Sequence, residues 1–386
     1  MSIIKIGVEC ENLEDPKSRW GIGKITLNLL KEFAKSPEWQ KEYKLYLYFK
    51  SRVPDDDIFQ SADWRTKFEI RILGFPSFNI FYHILMPLRA MIDRVDWMFF
   101  PAYQLPSLYF GKSIVVLTED AYYEYKYGNL PFRYKLSYRI FTNWAAQFAT
   151  KILAISETSK KELARVYKIN PDKIFVNYLG IDMENHKSQI TNHKQNQNSN
   201  FLIPISYILF VGQMFPRRHA KETILAFESL AEEFKDLKLV MIGPDKYPEP
   251  TIEPLVNKIN TKLGRESVIH KGYVSSDELA ELYAGAKALV YVSDREAFGL
   301  PPMEALLFGV PPVVMDNELG HELFGSNAVF AKSGSVDDIT DAIKQVLSDE
   351  NPSTKLRARI KNSGQEFVKK YSWRNFADRF LDIIKN

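Results

Sequence analysis

Cysteine is almost missing from this chain. Cys10 is the only one in 386 residues, which excludes an internal disulfide framework and any cysteine-built metal cluster and points to a reducing cytoplasm. Long apolar runs are missing too, since none approaches the length that spans a bilayer. The apolar start, Ser2 to Val8, is far too short for the core of a signal peptide and reads as a first strand. An excess of one charge is also lacking: 51 Lys and Arg face 48 Asp and Glu, and a net +3 is too little to imply a nucleic-acid partner. What is present, 45% hydrophobic and 26% charged residues, is the composition of a soluble globular protein. The length is too great for one ordinary core and comfortable for two domains.

Short apolar runs alternate with helical patterns through both halves, which predicts parallel sheets covered on both faces. In the front half, a strand to Val8 is followed by Gly21-Ile-Gly23 and a helix with Ile25, Leu29, Leu30 and Phe33 on one side. A glycine pair there lets the backbone approach a ligand, though a plain turn fits as well. The third glycine of a dinucleotide fingerprint is absent, which disfavours a nicotinamide cofactor. Asp55, Asp56 and Asp57 read as a solvated loop rather than a metal site. Ser113 to Asp120 reads as a strand ending in two acids, Glu119 and Asp120. From Ala121 to Lys151, Lys126, Arg133, Lys135 and Arg139 stand among tyrosines with Glu124 as the only acid. Leu136, Ile140, Phe141, Trp144 and Phe148 there have helical spacing. Core packing of that apolar face is the favoured reading, and contact with anionic lipid the other. Met183 to Asn200 is polar and reads as a linker; its His186 and His193 lack the framework of a metal site.

The back half opens on a buried strand, Tyr207 to Gly212, then Gln213-Met-Phe-Pro-Arg-Arg-His219 and a helix. Two arginines ahead of a helix start are suited to an anion rather than to solvent, since alone they would oppose the helix dipole. Leu237 to Gly243 and Ser267 to Val274 read as strands, and Ser276 to Ala286 as a helix. Then comes Ser293-Asp-Arg-Glu-Ala-Phe-Gly-Leu-Pro-Pro-Met-Glu-Ala-Leu-Leu-Phe-Gly309, a loop and a compact helix with Pro301, Pro302 and Glu304 placed in its first turn. Glu318 to Leu323 and Val329 to Ser333 are expected to complete the sheet. One last helix is expected from about Leu356 to Ile384.

Glu296 and Glu304, eight positions apart around Phe298-Gly299-Leu300, resemble the Glu-x7-Glu signature of the retaining glycosyltransferases of family 4. Read without that resemblance, Glu304 also suits a helix-start acid and Glu296 a solvated loop charge. The resemblance implies two Rossmann-like domains facing a cleft, the GT-B architecture, and covers nearly the whole chain. It implies that Glu296 contacts the sugar of a nucleotide-sugar donor, that Glu304 bonds the ribose, and that Phe298, Gly299 and Leu300 approach the donor. Gly212 with Arg217 and Arg218 matches the family's diphosphate site, Arg218 standing where a lysine is usual and Gln213 where an arginine often is. Val274 matches the turn against which the base packs, and Gly21 and Gly23 the acceptor-side loop. Asp120 matches the family's His-Asp strand end, but Glu119 replaces its histidine; at an ordinary carboxylate pKa it would be a weak base.

The resemblance therefore implies catalytic roles for Arg218, Glu296 and Glu119, no metal and no cofactor beyond the donor. It implies a saccharide or lipid-linked saccharide acceptor and a mannosyl- or rhamnosyltransferase of surface polysaccharide. An epimerase of the same fold, or a donor-binding scaffold without turnover, stays open. The expected domains are 1–182, a linker 183–200, a donor domain 201–370 and a tail 371–386 crossing back to the first. The expected location is cytoplasmic, at the inner face of a membrane.

Overall fold

The strands of this chain are continuous apolar runs because both of their faces are buried. Along Tyr207–Val211, Tyr207, Leu209 and Val211 enter one apolar cluster while Ile208 and Phe210 enter another. Lys238–Ile242 divides the same way, Val240 and Ile242 against Leu239 and Met241. This two-faced burial is the mark of a parallel sheet covered by helices. The computed structural model describes residues 3–15, 22–60, 64–128, 131–181, 206–348 and 352–386. It divides into unit 1, Met1–Gly180 with Trp373–Asn386, and unit 2, Ile181–Ser372. Gly21 and the polar stretch 183–200 with His186 and His193 lie outside the described residues.

Unit 1 holds seven parallel strands: β1 (Ile4–Glu9), β2 (Tyr43–Phe49), β3 (Phe68–Ile72), β4 (Trp97–Phe100), β5 (Lys112–Val116), β6 (Lys151–Ala154) and β7 (Ile174–Val176), in the order β3-β2-β1-β4-β5-β6-β7. Val8 of the central β1 pairs with Leu47 on one side and Phe99 on the other. The helices that matter below are α1 (Ile22–Ala34), α2 (Glu119–Tyr127), α3 (Phe132–Phe148) and α4 (Glu157–Tyr167). The expected strand to Asp120 is thus shorter than read. It ends at Val116, extended Thr118 caps α2, and Glu119 and Asp120 form that helix's first turn, where acids complement the dipole.

Unit 2 holds β8 (Tyr207–Val211), β9 (Lys238–Ile242), β10 (Val268–Lys271), β11 (Leu289–Tyr291), β12 (Pro312–Met315) and β13 (Val329–Ala331), all parallel, in the order β10-β9-β8-β11-β12-β13. Its helices include α5 (Ala220–Leu230), α6 (Ser276–Gly285), α7 (Leu300–Leu307), α8 (Glu318–Phe324), α9 (Val336–Leu347) and α10 (Pro352–Val368). Glu318 to Leu323, expected as a strand, is helical because Asn317 caps it, its side chain accepting from Gly320 N–H. Leu319, Leu323 and Phe324 then fall on one buried side at helical spacing.

The expected single last helix is two. After α10 the chain turns over Lys369–Ser372, and α11 (Trp373–Lys385) belongs to unit 1. Its apolar side packs on α1 and the sheet: the Phe380 and Phe99 rings meet edge to face at 4.8 Å, and Asn177 Nδ2 donates to Phe376 O at 3.0 Å. Arg374 stacks on Trp39 at 4.1 Å and donates to Ser36 Oγ at 2.7 Å.

Two strand ends of unit 2 meet through glycine. Gly212 after β8 and Gly243 after β9 have φ of 132° and 139°. A Cβ on Gly243 would lie 2.0 Å from Gly212 O. Gly264 ends another helix at φ 64° with open space around it. Urea unfolding of the full chain should therefore separate the two positions. Gly264→Ala should cost about 1 kcal/mol, the conformational term alone, and Gly243→Ala about 3 kcal/mol or more. Equal losses would mean that the backbone contact at Gly243 is soft.

Candidate active site

In unit 2 the strand order reverses between β8 and β11. The loops leaving their carboxyl ends flank the crevice where open α/β sheets take ligands. The first loop, 212–219, carries Arg217, Arg218 and His219; the second, 293–299, carries Asp294, Glu296 and Gly299. Four contacts join them. Asp294 N–H donates to Arg217 O at 2.9 Å, Arg217 Nε to Arg295 O at 3.4 Å, and His219 Nε2 lies 2.8 Å from Asp294 Oδ1. The fourth is a two-pronged ion pair: Arg218 Nε donates to Glu296 Oε1 at 2.6 Å and Nη2 to Oε2 at 2.9 Å.

Each neighbour of that pair has a reason to be there. Arg218 Nη1 donates to Gln213 O at 3.0 Å, and the guanidinium lies 5.3 Å from the Tyr291 ring. Gly212 eases the approach, since a Cβ there would stand only 3.1 Å from Nη1. Ser293 Oγ lies 3.1 Å from Glu296 Oε1. The side chains of Arg218 and Glu296 are 15% and 14% exposed, dry enough for a charged fork to be strong and for a lost partner to be costly. Arg217 stacks on Phe215 at 4.6 Å.

Gly299, with φ 98°, caps α7. Pro301 and Pro302 have no N–H, so this helix start offers the amides of Gly299 and Leu300, and neither meets an acceptor among the described residues. Glu304 lies past the first turn rather than within it, and Tyr283 OH of α6 donates to its Oε2 at 3.0 Å. An open recess beside this helix is lined by Tyr291, Ser293, Glu296, Gly299, Asn317 and Gly320. The Phe298 ring is buried against Tyr371 at 5.8 Å, and the Val274 side chain lies in the core.

His219 had no role in the sequence reading. It sits in the left-handed region at φ 47° directly before α5, and a Cβ on Gly334 would strike its ring at 2.2 Å. Glu222, whose Oε2 lies 3.7 Å from Nδ1, and then Asp294 push its pKa above the usual histidine range. The Pro-Arg-Arg-His run marked it, but its partners lie far away in sequence.

The unit 1 residues form a separate set. Gly23 is buried near the start of α1. Asp120 is half-buried beside Glu119, which is buried and accepts a hydrogen bond from Ser159 Oγ of α4. Burial first, then the Asp120 charge, raises the Glu119 pKa to about 7. The sequence expectation of a weak base with an ordinary pKa is therefore corrected: desolvation brings this carboxyl into the neutral range. Among the described residues, no group of three or more His, Cys, Asp or Glu is placed to hold a metal ion.

Two family models match nearly end to end: Glycosyltransferase Family 4 over residues 21–185 and Glycosyl transferases group 1 over residues 193–367. The chain belongs to glycosyltransferase family 4. It is a glycosyltransferase of the GT-B fold class. The chain is 25% identical to the O-antigen chain mannosyltransferase B of Escherichia coli over 95% of its own length and 96% of that protein. To the O-antigen chain mannosyltransferase RfbU of Salmonella typhimurium it is 26% identical over 55% of each. In fold it is similar to Anabaena Alr3699/HepE, solved in complex with UDP and glucose, with a TM-score of 0.66 at 15% identity over 99% of both chains. WaaG, a glycosyltransferase involved in lipopolysaccharide biosynthesis, gives a TM-score of 0.66 at 15% identity over 99% of this chain and all of that one.

Two measurements probe this glycosyltransferase's buried charges. Urea unfolding of Arg218→Ala and Glu296→Ala should show a loss of about 3 kcal/mol each, and the double variant less than their sum, with a coupling of about 2 kcal/mol. Additive losses would mean that the pair contributes nothing as a pair. Glu119 is raised in the folded state, so the folded form binds its proton more tightly than the unfolded chain. Stability should fall as pH rises from the unfolded value near 4.5 to about 7, by roughly 3 kcal/mol. Glu119→Gln should remove that part of the pH dependence between pH 4.5 and 8; an unchanged slope would place the titrating group elsewhere.

Proposed function

We propose that this glycosyltransferase moves mannose or rhamnose from a nucleotide-sugar donor to a hydroxyl of a saccharide or lipid-linked saccharide, with retention, in the synthesis of a surface polysaccharide. The observation that carries the reading is the Arg218–Glu296 fork set beside the unmatched amides of Gly299 and Leu300 at the β8/β11 crevice. Sugar transfer breaks the bond from the anomeric carbon to the diphosphate, and negative charge grows on the departing oxygen. A fixed cation and preorganised N–H donors stabilise that charge more in the transition state than in the bound donor, which is what lowers a barrier. Arg217 and Arg218 supply this without a metal.

Glu296 accepts from sugar hydroxyls, and its grip on Arg218 fixes the cation and the sugar acceptor group as one piece. Glu304 takes the ribose hydroxyls, with Tyr283 holding its carboxylate in place. Gly212 and Val274 serve through their backbone, the former at the diphosphate and the latter at the base. On the acceptor side, Glu119 takes the proton of the attacking hydroxyl, for which a pKa of about 7 is well matched. Gly21, Gly23 and Asp120 belong to that acceptor side. The names of the E. coli and Salmonella relatives support mannose and an O-antigen-type acceptor. The place of reaction is the cytoplasm, at the inner face of a membrane.

Steady-state kinetics with a panel of nucleotide sugars tests this. The donor is found first by thermal stabilisation, since a ligand at 100 times its Kd adds about 2.7 kcal/mol. Arg218→Ala should then lower kcat by roughly 10²- to 10³-fold, with Glu296→Ala also acting on kcat through misplacement of the sugar. Glu304→Ala should raise the KM for the donor and change kcat little. Glu304→Ala with unchanged donor affinity would remove the ribose assignment. A wild-type protein that binds donor and never turns over would make this chain a scaffold instead.

A further inference from the structure

Helix α3 turns several of its large apolar residues outward. The sequence favours core packing for the apolar face of Leu136, Ile140, Phe141, Trp144 and Phe148, and the structure divides that face. Trp144 packs half-buried against the core and Phe141 lies half-buried on the His83 ring, while the other three are exposed. Thr142, Ala145 and Ala146 face inward, while Phe132, Leu136, Ile140 and Phe148 are 80%, 44%, 53% and 62% exposed. Steps of four keep Phe132, Leu136 and Ile140 on one slowly turning stripe along the outer side. A helix that served only to cover the sheet would place them the other way round. The inward side holds the small residues with half-buried Trp144 beside them against the same core, and Tyr138 stacks on Tyr103 at 4.9 Å.

The stripe is bordered by cations. Between α2 and α3 lies an open groove of about 430 Å³ with Tyr122, Tyr125, Phe132 and Leu136 on its walls and Lys126, Lys135 and Arg139 at its edge. Lys126 donates to Tyr122 OH at 2.8 Å and stands over the Tyr122 and Tyr127 rings at 5.1 and 5.2 Å. Among the described residues, no carboxylate pairs with Lys126, Arg133, Lys135 or Arg139. Further along, the His83 ring stacks on Phe141 at 5.0 Å and accepts from Ser107 N–H at 3.2 Å, which sets the segments carrying exposed Ile84 and Leu108 beside α3.

We propose that this face of unit 1 docks on an anionic lipid bilayer, α3 lying in the plane of the surface with its Phe132–Leu136–Ile140 stripe at the acyl boundary and a lipid phosphate in the groove of Lys126, Lys135 and Arg139. Charge complementarity selects this occupant. Unpaired cations around exposed apolar side chains meet both needs at a surface that offers phosphates above and hydrocarbon below. Tyrosines at the rim suit the headgroup level, where one end of the ring is wet and the other apolar. No helix among the described residues is long and apolar enough to cross a membrane, so the contact is a peripheral one. The inference deepens the location proposed above and does not depend on the sugar-transfer reading.

Co-sedimentation of the full chain with vesicles tests it. Vesicles of phosphatidylcholine with about a third phosphatidylglycerol should carry the protein down, and pure phosphatidylcholine should not, with binding fading as salt rises toward about 0.5 M. Lys135→Glu with Arg139→Glu should weaken partition at least about tenfold, and Ile140→Asp should do the same by charging the stripe. Both variants change exposed or half-exposed side chains, so the thermal transition and the stabilisation by nucleotide should stay at the wild-type values. Equal binding to both kinds of vesicle, binding to neither, or variants that partition like the wild type would overturn the proposal. So would a solution dimer that ignores vesicles and is dissociated by Ile140→Asp, since this face would then belong to a second copy. Loss of donor binding with vesicle binding intact would fall on unit 2 alone.

Discussion

A guanidinium gripped by a carboxylate joins the two candidate-site loops of unit 2, alongside the backbone and histidine contacts between them. Arg218 comes from the turn after β8 and Glu296 from the loop after β11, seventy-eight positions apart in the chain and adjacent only because the sheet reverses its order between those strands. Taking both charges largely out of water is unfavourable, and their mutual attraction is strong only when the geometry is good. The surroundings supply that geometry: Gln213 O and the Tyr291 ring fix the guanidinium, and Ser293 stands beside the carboxylate. A hydrophobic pair of the same volume would hold the loops as well or better. That a charged pair stands there is better explained by what it presents to the crevice than by stability.

The same constraint reaches into the glycine positions. Gly212 has a φ of 132° and a Cβ there would crowd the Arg218 guanidinium, while Gly243 must lack a side chain so that the neighbouring strand end can pass Gly212 O. His270 Nε2 then lies 2.8 Å from Gly243 O and fastens β10 to the same corner. Glycine here works through close approach and a backbone angle other residues avoid.

Much of the fold was legible in the sequence because parallel strands covered on both sides write unbroken apolar runs, and Tyr207–Val211 and Lys238–Ile242 are such runs. Loops and helix starts around Arg217, Arg218, Glu296 and Gly299 were legible for a local reason, their turn and capping residues. Partners were not. Tyr283 meets Glu304 and His219 meets Asp294 through tertiary packing that no spacing encodes. Glu318–Phe324 was misread because a seven-residue helix with a glycine inside shows little periodicity, and its cap, Asn317, equally suits a turn. In α3 the periodicity was real but its direction was not readable. A pattern of large apolar residues marks a face; whether the face turns inward depends on how much room lies beneath the helix.

Glu119 shows how far burial can alter what a residue type implies. In water a glutamate would be ionised at neutral pH and a poor proton acceptor. In the first turn of α2 it is enclosed, with Asp120 next to it, and both effects favour the neutral form. Ser159 Oγ and the helix start pull the other way by bonding the anion. The balance falls near neutrality, in the range where a histidine would titrate. Burial has moved this carboxyl toward the range where an imidazole titrates, without an imidazole's shape or positive charge. Its neutral form, unlike an imidazolium, carries no positive charge, and its ionised form adds a negative charge that imidazole never carries. The two side chains can therefore exchange a proton over a similar pH range while presenting opposite charges to their surroundings.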